Sequence, residues 1–164
     1  MRKLLAVLLV HAGDVVSVDR PGDALWGGEA PIDRSSAVHN LVYRLRVIVR
    51  SAGAGDTVRV VTRAPGYVLE VDGADVDSTR FAGLVETARD RLHESPQVAA
   101  ALLDEALSLW RGPAFAEFAD EEPVRAEAAR LEELRRAAAA DRVDAAIALD
   151  RHDEAIGMLE PLRA

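Results

Sequence analysis

The stretch between Ser35 and Val71 constrains this chain more than any other. Val38, Leu41, Val42, Leu45, Ile48 and Val49 recur at the i, i+3, i+4, i+7 spacing of a helix with one buried face. That helix starts near Ser35-Ser36 and runs to Ser51. His39, Asn40, Tyr43, Arg44, Arg46, Val47 and Arg50 fall off the apolar face, and no carboxylate stands between Arg34 and Arg50. Thr57 to Arg63 then alternates as a strand, Ala64-Pro65-Gly66 turns the chain, and Tyr67 to Val71 is a second strand.

Upstream, Leu4, Leu5, Leu8 and Leu9 mark a helix over Arg2 to Ala12, which Gly13 can close in the left-handed conformation. Val15 to Val18 is extended, and a second helix reaching Trp26 is expected, either capped by Ser17 with Pro21-Gly22 in its first turns or shorter, beginning at Pro21 or near Asp23. Three helices followed by a hairpin is the order of a winged helix-turn-helix, the hairpin being the wing.

Charge adds a functional direction. Residues 34–63 contain six Arg and one acid, Asp56. A window of that size with average composition would hold about 3.7 basic and about 5.1 acidic residues. The loss of acids is the stronger signal, because a carboxylate beside DNA opposes the phosphates. Guanidinium groups suit bidentate contact with phosphate or guanine, Asn40 can read adenine, and Tyr43 can reach a phosphate. The plain counter-reading is an exposed helix in a chain that uses nineteen Arg and one Lys.

Composition then divides the chain at Asp72. Residues 1–72 carry nine basic and eight acidic side chains, a net +1, with 14 Val and 8 Ala. Residues 73–164 carry eleven basic and twenty acidic, a net −9, with 5 Val and 22 Ala. Val suits strands and packed cores, and Ala suits closely packed helices. Two domains are therefore expected, 1–72 and 78–164, joined by the polar segment Asp72 to Ser78. In the second, Ser78 can cap a helix from Thr79 to about His93, and Pro96 opens a helix that reaches Trp110. A long helix is expected from Pro123 to Leu149, and a last one from near Asp153. Helices paired in this way suit a tetratricopeptide-like stack. Its acidity argues against contact with DNA and suits either a solvated face or a basic partner.

Catalytic chemistry finds no footing. The four His, at 11, 39, 93 and 152, form no metal-ligand spacing, and zero Cys removes thiolate sites. No nucleophile elbow or phosphate-cradling glycine loop occurs. Glu121-Glu122 and Glu132-Glu133 are expected on helix surfaces. The chain is read as a non-enzyme with no cofactor and no metal. Lack of Cys suits a cytoplasmic location, and the apolar run Leu4 to Val10 is too short for a membrane span.

Five strings carry a family resemblance in the first part: Leu4 to Leu9, Val15 to Arg20, Asp23-Ala24-Leu25-Trp26-Gly27, Ala37 to Arg46, and Thr62-Arg63-Ala64-Pro65-Gly66-Tyr67. A sixth is Ala106-Leu107-Ser108-Leu109-Trp110-Arg111-Gly112-Pro113, within Phe81 to Asp141. Together they resemble the Streptomyces antibiotic regulatory protein family, which joins an OmpR-type winged helix to a bacterial transcriptional activator domain. The resemblance implies a mainly α protein with a small hairpin, its winged helix-turn-helix followed by an all-α tetratricopeptide-like domain. It implies an activator of antibiotic biosynthesis genes that binds promoter direct repeats in double-stranded DNA. RNA polymerase holoenzyme and a second copy of the chain are the implied partners, with no membrane. By position, Ser36, His39, Asn40, Tyr43 and Arg44 would face the groove. Arg46 and Arg50 would lie near the backbone, and Thr62 and Arg63 would belong to the wing.

Against the family pattern the chain reads as shortened at both ends. Met1 opens directly on the first helix, without the leading sheet, so Leu4 and Leu5 are expected to be exposed. Pro21-Gly22 is expected to weaken the second helix, and Ala164 falls before the last helix pairs. The competing reading is a protein-interaction module whose helical repeat works beside a winged helix that no longer binds.

Overall fold

A computed structural model describes residues 1–17, 33–72 and 76–159. The expected second helix, with Pro21-Gly22, lies outside the described residues. The elements are α1 (Arg2–Val10), β1 (Val16–Ser17), α2 (Arg34–Ser51), β2 (Val58–Arg63) and β3 (Gly66–Val71). There follow α3 (Asp77–Arg91), α4 (Pro96–Ser108), α5 (Val124–Ala148) and α6 (His152–Leu159), with a 3-10 turn at Ala116–Phe118.

By compactness the chain forms two units. One combines Met1–Asp72 with Phe115–Ala129, and the other combines Gly73–Ala114 with Arg130–Ala164. Residues 115–129 thus belong to the first unit although they lie far along the chain from the rest of it. The cause is apolar. Val124 is 1% exposed within the core of the first unit, and Phe115 and Phe118 pack against that core. Leu4, Val7, Leu8, Val16, Val38, Val42, Leu45, Tyr67 and Leu69 make up most of the remainder. Burial of each large side chain there stabilises the unit by roughly 1.5–3 kcal/mol.

The expected exposure of Leu4 and Leu5 is therefore corrected: Leu4 is 1% exposed and Leu5 is half-buried. Lys3 pairs with Glu121, and Arg2 with Glu117 at 3.2 Å, within the same unit. Glu121 accordingly stands in a turn before α5, not on a helix surface.

The sheet is antiparallel with the order β1-β3-β2. Val16 and Ser17 oppose Tyr67 and Gly66, and Val58 to Arg63 oppose Val71 to Gly66. Gly66 is required at its position, since a Cβ there would lie 1.9 Å from the Val16 carbonyl oxygen. α1 ends at Val10 with His11 as its C-cap, earlier than an end at Gly13 would place it; Gly13 follows in the turn at φ +86°, and its N–H donates to the Leu69 carbonyl at 3.0 Å, away from the helix.

In the second unit, α3 buries Phe81, Val85 and Ala88, and α4 buries Ala99, Ala100, Leu103 and Ala106. Pro96 opens α4, where its missing N–H removes no helical bond. Ser78 does not cap α3. Val76 holds that position and makes no side-chain cap bond. Trp110 meets Phe81 edge-on at 5.2 Å, and the Arg135 guanidinium lies 4.6 Å from the centre of its ring. Arg142, 5% exposed on α5, donates from Nε to Asp104 Oδ1 at 2.7 Å and from Nη2 to Asp104 Oδ2 at 3.1 Å, and also reaches Glu154. Those bonds to Asp104 push the guanidinium pKa up, against the effect of burial.

Candidate nucleic-acid interface

Helix α2 is seated by Val38, Val42 and Leu45, at 0%, 1% and 3% exposure. At about 100° per residue, the side of the helix opposite this stripe carries Ser36, Asn40, Tyr43 and Val47. All four are exposed. Ile48, assigned by periodicity to the buried face, is 47% exposed and leaves that face. It falls on the flank of the apolar arc, where nothing among the described residues covers it fully.

Asp33 caps α2, two residues before the expected start. Its Oδ1 accepts from the Ser36 N–H at 3.0 Å, and the Ser36 hydroxyl donates to Oδ2 at 2.6 Å. The Ser36 hydroxyl and amide hold the Asp33 carboxyl below its usual pKa. Ser36, expected to face the groove, is thus part of the cap.

Tyr67 forms the junction between helix and hairpin. It is 3% exposed, and burial pushes its phenol pKa up while Arg46 pulls the other way. The His39 ring meets it edge-on at 5.9 Å, and the Arg46 guanidinium lies 5.8 Å from its centre. Arg46 donates from Nε to the Val60 carbonyl at 2.7 Å and from Nη2 to Thr62 Oγ1 at 2.9 Å. Two residues expected to contact DNA separately are therefore bound to each other across α2 and β2.

Asn40, Tyr43 and Arg44 differ from these. They are exposed, and no hydrogen bond or ion pair engages them among the described residues. Tyr43 is 65% exposed. Arg50 makes a long bond from Nε to the Arg46 carbonyl at 3.4 Å. On the hairpin, Glu70 sits between Arg59 at 3.2 Å and Arg63 at 3.5 Å. Such solvated pairs contribute about 0–1 kcal/mol, so Arg63 can exchange Glu70 for a phosphate at little cost.

Sequence reasoning missed the cap and the Tyr67 junction. The first was legible as an Asp three residues before Ser36. The second depends on a pairing across the fold and had no local signal. Among the described residues no three His, Asp or Glu side chains are grouped to hold a metal ion, and no helix is long and apolar enough to cross a membrane.

A helix seated on a three-stranded sheet, with its acid-free side outward and a hairpin beside it, defines a winged-helix protein. Comparison with known proteins agrees. The family described as the bacterial transcriptional activator domain matches residues 76–164. Transcriptional regulator RedD of Streptomyces coelicolor is 33% identical over 166 residues, covering 100% of this chain and 47% of RedD. Regulatory protein DnrI of Streptomyces peucetius is 29% identical over 169 residues, covering 99% of this chain and 61% of DnrI. Among solved structures, Mycobacterium tuberculosis EmbR, in complex with a low-affinity phosphopeptide, matches with a TM-score of 0.89 and 28% identity. That match covers 98% of this chain and 42% of EmbR. The chain belongs to the Streptomyces antibiotic regulatory protein family of transcriptional regulators, which carry the bacterial transcriptional activator domain. It spans about half the length of the curated relatives it matches.

Proposed function

We propose that this chain is the promoter-binding part of a cytoplasmic transcriptional activator of antibiotic biosynthesis genes. The outward side of α2 carries the reading: Asn40, Tyr43 and Arg44 stand exposed together with no carboxylate among them. Helix α2 enters the major groove of a promoter direct repeat. Asn40 pairs with adenine, Arg44 with guanine or a phosphate, and Tyr43 donates its phenolic proton to a phosphate. Arg50 and Arg63 neutralise flanking phosphates. Arg46 and Thr62 act as positioning residues that fix the hairpin against the helix. The helical unit recruits RNA polymerase holoenzyme, and two copies bind adjacent repeats as a homodimer.

The test is fluorescence anisotropy with the whole chain, a labelled duplex from a promoter in its own gene neighbourhood, and a scrambled duplex, at two salt concentrations. Tighter, salt-sensitive binding to the promoter is expected. Arg44→Ala should flatten the salt slope by about one unit if Arg44 meets a phosphate. Equal or absent binding to both duplexes would overturn the reading in favour of a protein-interaction module.

A further inference from the structure

Val47 is out of place on the surface it occupies. The helical repeat sets it directly opposite the Val38–Val42–Leu45 stripe, one turn beyond Tyr43 and two beyond Asn40. It is 40% exposed. A β-branched side chain there is a poorer helix former than Lys, Glu or Ala, and its apolar surface gains nothing from water. Single exposed apolar residues are ordinary on protein surfaces. This one differs in its position, at the middle of an outward face that carries Asn40, Arg44 and Arg50 and lacks any carboxylate.

We infer that Val47 recognises the 5-methyl group of thymine in the major groove, an assignment that rests on the DNA-binding reading above. The argument is one of chemical matching. Arginines around Val47 complement the phosphates, which brings the middle of the face toward the base edges. The major-groove edge offers donors, acceptors and one apolar group, the thymine methyl. Val47 has no hydrogen-bonding atom, so only that methyl rewards its approach. Asn40 and Arg44, one to two turns away, read hydrogen-bonding edges, while Val47 separates thymine from cytosine by a contact that neither of them can make. The site should therefore contain a thymine at one fixed position, beside the bases read by Asn40 and Arg44.

The experiment begins with the whole chain enriching duplexes from a random pool. The enriched duplex is then resynthesised with each thymine replaced, one at a time, by deoxyuridine, which lacks the methyl and keeps every hydrogen bond. Wild-type protein should lose about threefold to fourfold in affinity at one thymine per repeat, the worth of one buried methyl. Val47→Ala, with its fold checked by circular dichroism, should bind the thymine and deoxyuridine duplexes equally. Three results overturn the inference. If every deoxyuridine duplex binds as tightly as its parent, no methyl is read, while DNA binding stands. If Val47→Ala keeps the wild-type sensitivity, another side chain reads the methyl, and Ile48→Ala is the variant that identifies it. If the chain enriches no duplex, the DNA-binding reading falls and this inference falls with it.

Discussion

Arg46 on α2 donates to Thr62 on β2 at 2.9 Å, while its Nε holds the carbonyl of Val60 at 2.7 Å. β2 is an edge strand, and edge strands leave backbone groups unpaired. One guanidinium thus sets the angle between helix and hairpin and covers part of that edge. Arg46→Ala should destabilise the first unit by about 1.5–3 kcal/mol, the scale for hydrogen bonds from a charged donor. Thr62→Val, which removes only the exposed partner, should cost about 0.5–1.5 kcal/mol. Urea unfolding of the two variants checks the order, and equal losses would show that the Val60 bond adds nothing.

Gly66→Ala should separate β1 from β3. The added Cβ would meet backbone atoms of Val16 and Ser17, which cannot swing aside as a flexible side chain can. A loss of about 3 kcal/mol or more is expected, beyond the usual range for overpacking. Amide exchange offers the direct readout, with protection lost at Val16 and Tyr67 before it is lost in α3 or α4.

The Asp104–Arg142 pair should respond asymmetrically. Arg142 is 5% exposed, while the Asp104 side chain is 57% exposed. Removing the acid leaves a buried cation short of partners; removing the arginine returns two accessible carboxylates to water. Glu154 still pairs with the guanidinium, so Asp104→Ala is expected to cost about 1.5–3 kcal/mol, and Arg142→Met less. Thermal unfolding of both variants decides the matter, and a larger loss from Arg142→Met would contradict it.

The Asp33 cap carries a pH signature. Ser36 holds the folded-state pKa of Asp33 below its usual value of 3.8, so the carboxylate's contribution is complete above that value. It is lost as pH falls through the lower folded-state pKa. Asp33→Asn keeps an acceptor at the cap but has no charge to lose. Wild-type protein should therefore melt higher than Asp33→Asn at pH 6, with the gap closing in strong acid. A gap that stays constant from pH 6 to pH 2 would count against the assignment.

Most of α2 was legible because its apolar spacing and its acid-free side are properties of one continuous segment. The hairpin was legible for the same reason: alternation and a Pro-Gly turn are local. Ile48 was misplaced because periodicity marks an arc of the helix without showing how wide its seat is. Ser78 failed as a cap because the helix begins one residue before it, at Asp77. The Arg46–Thr62 link and the buried Arg142 depend on partners far along the chain, which charge counts and helical periods cannot reveal. The exposure of Asn40, Tyr43 and Arg44 was easier to read, since it follows directly from their lying away from a buried stripe.

The return of Phe115, Phe118 and Val124 to the first core gives the protein an order of assembly. On the ribosome, Met1 to Asp72 emerges before Phe115, Phe118 and Val124, the residues that complete its core. Residues 73–114, which contain the whole of α3 and α4, appear next, and their contacts are close in sequence and quick to form. Only when Ala129 has left the tunnel is the last of the first unit's own residues available. The unit that presents Asn40 and Arg44 therefore begins first and closes late, with a helical pair able to fold in the interval.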